Sequence, residues 1–137
     1  MLQHVTLEIG RDRTDACVRF WGLLGFEPMT APPLLRDRFV WVAREGTQIH
    51  LMPVDDPIVP DQGHVAVLVP DYEAALAALR DAGFELRAGS NAWNAPRTFV
   101  RCPARHRVEI MSAPPYPPWP GEEPGAAGDA GERQRRH

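Results

Sequence analysis

A chain of 137 residues, 44% of them apolar and 24% charged, is ordinary for a globular protein and long enough for one domain with its own core. A formal net charge of −3, with the basic residues scattered along the chain, excludes the basic footprint that nucleic acid requires. All the basic residues are arginine, so neither a Schiff base nor a lysine general base is available.

The chain opens on an alternating run, His4-Val5-Thr6-Leu7-Glu8-Ile9, in which Val5, Leu7 and Ile9 share one side and His4, Thr6 and Glu8 the other. That is the period of a half-buried strand. After Gly10 the period changes. Cys17, Phe20, Trp21 and Leu24 fall at helical spacing, Asp12 or Thr14 is placed to cap the start, and Gly25 suits the left-handed position at the end. Strand-like runs follow at roughly 26–29, 38–44 and 47–53, with a loop at 30–37 around Pro32-Pro33. A second loop, rich in Pro, Asp and Gly, runs from Pro53 to Gly63.

The pattern then begins again. His64-Val65-Ala66-Val67-Leu68-Val69 alternates as the first strand does, and Asp71 is the candidate cap of a helix burying Tyr72, Ala75, Leu76 and Leu79, with Gly83 as its stop. Strand-like runs at roughly 84–88, 97–102 and 106–112 complete the copy. Three anchors equate the halves: His4 with His64, Gly25-Phe26-Glu27 with Gly83-Phe84-Glu85, and Ile49-His50-Leu51-Met52 with Val108-Glu109-Ile110-Met111, at offsets of 60, 58 and 59 residues. The near-constant offset identifies two duplicated modules, 2–53 and 63–112, each β-α-β-β-β. The fold class is therefore α+β: two tandem βαβββ modules. Residues 113–137, dominated by Pro and Gly, are too poor in apolar side chains to offset their ordering entropy and are expected to form a disordered tail.

Duplication also groups the candidate ligands. His4 is equivalent to His64 and His50 to Glu109, so three imidazoles and one carboxylate occupy two repeat-related positions. His50 shares a strand face with Gln48 and Met52, and Glu109 with Arg107 and Met111, leaving Ile49, Leu51, Val108 and Ile110 for the layer beneath the helices. This donor set suits one divalent ion, whether zinc, nickel, iron(II), cobalt or manganese. A lone histidine at a strand start is more often a surface or core residue; the shared faces and the repeat are what join these four. His106, in the turn before the last strand, is expected to be solvated, and His137 ends the tail. Trp21, Trp41 and Phe39 are expected in the core, and Trp93 and Asn94 at the rim of a cavity. Cys17 and Cys102 fall in a helix and a strand end with no disulfide framework around them. No secretory leader and no apolar run of membrane-spanning length is visible, so the expectation is a cytoplasmic protein without a membrane partner.

Leu2-Gln3-His4-Val5, the run Val18-Arg19-Phe20-Trp21-Gly22-Leu23-Leu24-Gly25-Phe26, Gly63-His64-Val65-Ala66 and Arg107-Val108-Glu109-Ile110 resemble the vicinal oxygen chelate superfamily, the glyoxalase/bleomycin resistance/dioxygenase group, over residues 2–112. The resemblance implies that the modules form a curved mixed sheet that cups a metal, a homodimer as the active unit, and His4, His64 and Glu109 as ligands. His50 stands where glyoxalase I-like members carry glutamate, and would be a variant fourth ligand. In such dimers a site takes its first two ligands from one chain and its last two from the other. The implied chemistry is that of a metal-dependent isomerase or lyase acting on a small molecule chelated through adjacent oxygens, with Glu109 as candidate base. The alternatives are an iron(II) ring-cleaving dioxygenase and a non-enzymatic drug-binding protein of the bleomycin-resistance type. The usual Asp-Pro-Asp-Gly turn before the final strand reads Cys102-Pro103-Ala104-Arg105 here.

Overall fold

A computed structural model of the protein describes residues 1–122. Its elements, in chain order, are β1 (His4–Gly10), α1 (Thr14–Leu23), β2 (Glu27–Met29), β3 (Val40–Arg44), β4 (Thr47–Val54), β5 (His64–Leu68), α2 (Tyr72–Asp81), β6 (Leu86–Ala88), β7 (Arg97–Arg101) and β8 (Arg107–Met111). The β-α-β-β-β order thus occurs twice, as the duplicated sequence predicts. Residues 113–122 form neither helix nor strand. The rest of the expected tail, 123–137, lies outside the described residues.

The two modules build the same sheet. Strand order is β1-β4-β3-β2 in one and β5-β8-β7-β6 in the other. In each, the first strand runs parallel to the last, with a helix crossing between them, and the remaining pairs are antiparallel. The tight hairpin between β3 and β4 turns on Glu45 and Gly46, both at positive φ, the geometry that matches strand twist. Between β7 and β8 the turn places Arg105 at φ 74, where a glycine is more comfortable.

Helix α2 is capped as its sequence predicts, Asp71 Oδ1 accepting the Ala74 amide at 3.0 Å. Helix α1 is not capped by a side chain. It begins at Thr14, so Thr14 lies inside the first turn, Asp12 comes one residue too early, and Arg13 holds the cap position with its amide on Gly10 O. Gly25 and Gly83 end the helices at φ near 90, as expected.

One core joins the modules. Trp21, Phe20, Ile9, Ile49 and Leu51 of the first and Leu79, Val108 and Ile110 of the second are fully buried in a single cluster. Phe20 meets Phe84 edge-on at 5.3 Å, and Cys17 of α1 hydrogen-bonds Cys102, both as free thiols. His106 corrects the expectation of a solvated imidazole: it is 6% exposed and its Nε2 donates to Glu8 O at 2.6 Å, bridging the modules. Its partner is 98 residues away, beyond the reach of local sequence patterns. The sheet faces turned away from this core stay open; along β5, His64, Ala66 and Leu68 are exposed.

Candidate metal and substrate site

On the open face of the first sheet, cross-strand register sets Thr6 against His50 and His50 against Trp41. The His4 and His50 rings stack at 4.1 Å, and the Trp41 indole stacks on His50 at 3.8 Å with the planes 1° apart. Burial of His50, and then the neighbouring His4, push its imidazole below the usual range and favour the neutral ring. Gln48 Oε1 lies 2.8 Å from His50 Nε2, so that nitrogen carries the proton and Nδ1 keeps a lone pair. His4 Nδ1 meets Gln3 Oε1 at 2.6 Å, which leaves His4 Nε2 the open nitrogen. Trp41 and Phe39, expected in the core, instead line a cavity of about 480 Å³ with His4, Thr6, Leu35, Arg38 and His50.

The equivalent face of the second sheet holds His64 and Glu109. His64 Nδ1 donates to Gln62 O at 2.9 Å, a carbonyl that only accepts. Its Nε2 then faces Glu109 Oε1 at 3.1 Å. In a neutral ring this contact sets a nitrogen lone pair against a carboxylate oxygen; it is satisfied by a second proton on the imidazole or by a cation between the two. Arg97 Nη1 donates to the other oxygen, Oε2, at 3.4 Å, and Glu109 is only 3% exposed. Trp93 lies under the Arg97 guanidinium at 4.2 Å, so it borders this site through Arg97. Asn94 turns its amide to Pro118 O.

The four expected ligands therefore form two pairs, one on each sheet. Among the described residues no three His, Cys, Asp or Glu side chains gather where they could hold a metal. Each pair alone fits half of such a centre: unprotonated imidazole nitrogens oriented by oxygens behind them, and a buried carboxylate. The parity of β4 and β8 revealed these faces in the sequence. The parity of β8 places Arg107 on the Glu109 face, and the same alternation on β7, Arg97-Phe99-Arg101, adds Arg97 and Arg101 to it.

No family model and no curated protein matches the chain. Solved structures do. A protein from Bacillus anthracis described as of the glyoxalase family superposes with a TM-score of 0.73 at 20% identity, covering 81% of this chain and 93% of its own. Oxidase ChaP-H2 gives 0.68 at 20% identity over 83% and 94%. Lactoylglutathione lyase from Agrobacterium tumefaciens gives 0.60 at 16% identity over 81% and 92%. The chain has the vicinal oxygen chelate fold, that of glyoxalases and related dioxygenases. At such identities the likeness is one of fold, and the named activities are those of the neighbours.

Proposed function

We propose that this protein is a metal-dependent, glyoxalase-like enzyme acting by isomerase or lyase chemistry on a small molecule that presents adjacent oxygens. The carrying observation is the equivalence of the two half-sites: His4 and His50 on one open face, His64 and Glu109 on the same positions of the other. The open faces are sided for pairing, since Leu68 stays 48% exposed beside Ala66 on the face that bears His64. A homodimer that apposes the first module of one chain to the second module of its partner completes the donor set, and a C2 dimer holds two such centres.

Three imidazoles and a carboxylate hold one divalent ion of the borderline class, and such an ion supplies charge stabilisation to the substrate oxygens. The residues do the rest. Arg97 and His64 fix the Glu109 carboxylate from either side. Oε2, the oxygen turned from His64, takes the proton from the substrate carbon and returns it to the neighbouring carbon. Trp41 and Phe39 exclude water from the opposite wall.

Protein purified without an affinity tag and analysed for metal tests this reading: bound divalent metal, together with isomerase or lyase turnover that chelation abolishes, is the expected result. Iron with oxygen uptake redirects the assignment to a dioxygenase, and a protein that refuses all divalent ions redirects it to a ligand-binding protein.

A further inference from the structure

The duplication supplies an internal control for chemistry. Trp41 faces His50 as Phe99 faces Glu109, and by the same registers Met29 is equivalent to Arg87, Ala43 to Arg101 and Gln48 to Arg107. Two residues before the paired aromatics stand Phe39 and Arg97. At four positions, then, the first module carries an uncharged side chain and the second an arginine. The first sheet folds without those guanidinium groups, so the fold does not require them.

All four line one cavity of about 810 Å³ on the open face of the second sheet, together with His64 and Phe99. Among the described residues their charge is poorly answered. Arg107 meets only the carbonyl and amide oxygens of Gln62, at 3.4 and 3.3 Å. Arg101 donates to the carbonyls of Arg105 and Asp61, with the exposed Asp61 carboxylate 3.8 Å away. Arg87 and Glu85 form a loose pair at 3.6 Å in full solvent; Arg97 alone contacts a buried carboxylate, Glu109. The Phe99 ring holds two of the cations in place, Arg107 at 3.8 Å and Arg97 at 5.3 Å from its centroid. The Arg97 stem crosses Gly89, where an added Cβ would come within 2.7 Å of it. A cluster of like charges, organised on a ring and given room by a glycine, is stabilised when an anion enters.

We infer that this arginine-lined face binds the acidic group of the substrate, an organic anion whose carboxylate or phosphate lies on Arg101, Arg107 and Arg97 and whose apolar body meets the Phe39–Trp41 wall. The inference rests on the proposed metal site for its orientation and names the substrate class of that site. Arg87, at the exposed rim, attracts the anion without gripping it.

Calorimetric titration of the metal-free protein with benzoate, its neutral isostere benzamide, phenyl phosphate and inorganic phosphate tests it. The expected result is that an organic anion binds at least about tenfold more tightly than benzamide. Benzoate outranking phenyl phosphate assigns a carboxylate head, and the reverse a phosphate. Arg107→Gln, which installs the first module's side chain, and Gly89→Ala, which displaces Arg97, each weaken the anion at least about tenfold and leave benzamide unchanged. Equal binding of benzoate and benzamide, no binding of either anion, inorganic phosphate binding as well as the organic anions, or anion affinity indifferent to both substitutions overturns the inference. Because the metal is absent, such a failure in a protein that does bind metal removes the anion site alone, whereas anion binding by a protein that takes no metal removes the metal reading alone.

Discussion

A neutral imidazole is the form that ligates a metal, and His50 is held in that form by its burial and by His4. The same shift couples His50 to stability. In the unfolded chain the ring titrates near 6.5 and in the folded chain lower, so the unfolded state binds more protons in between, and stability rises with pH there. The loss on acidification begins as the pH falls through the unfolded value and is complete below the folded one. The thermal midpoint of the metal-free protein is therefore expected to drop as the pH falls through about 6.5, and His50→Gln to flatten that slope; an unaltered slope in the variant counts against this account of the ring. Glu109→Gln keeps the shape of the side chain and removes its charge between His64 and Arg97. Metal affinity is expected to fall at least about 100-fold, read by competition with a chromophoric chelator, with melting little changed.

At the scale of elements, one helix cap and one turn carry measurable energy. Asp71→Ala removes the acceptor of the Ala74 amide and is expected to cost about 1 kcal/mol in urea unfolding. Asp12→Ala, at the helix start that lacks a side-chain cap, is expected to cost a few tenths at most. Arg105→Gly relieves a positive φ in the β7–β8 turn and is expected to raise stability by about 1 kcal/mol; a loss there contradicts the strain. The helices and strands were legible because their periods are local: alternation in β1 and β5, helical spacing of Cys17, Phe20, Trp21 and Leu24, glycines where φ turns positive. What stayed hidden depends on partners far along the chain. No local pattern tells that His106 reaches Glu8, or that Trp41 turns to His50 instead of the core, although the repeat equates Trp41 with Phe99 and the ligand-bearing face of one module with that of the other.

For the whole molecule, the modules pack through one shared core. Phe20, Phe84 and the Cys17–Cys102 contact hold them together, and the hydrogen bond with Cys102 and burial push the Cys17 thiol well up. The hydrogen bond with Cys17 pulls the Cys102 thiol down to about 7, yet both side chains are buried, so neither is expected to react with a maleimide in the native protein and both become reactive together on unfolding. Among the described residues no helix is long and apolar enough to cross a membrane. That His4 and His64, and likewise His50 and Glu109, stand at equivalent strand positions was readable from the repeat alone, because duplicated units repeat their register. Their division into two pairs was not, since it follows from the helices and the core lying between the modules while the ligand faces point away.

Complementation between two variants, each deficient in a different module, tests the two-chain site most directly. His4→Ala changes an exposed residue at a strand start and Glu109→Gln keeps the buried volume, so both are expected to fold, and each alone to bind zinc at least about 100-fold more weakly than the unaltered protein. Unfolded together and refolded, they are expected to regain tight zinc binding, because a mixed dimer contains one centre with all four ligands intact. A mixture that binds zinc no better than its parents, beside an unaltered protein that binds it tightly, contradicts a site shared between chains.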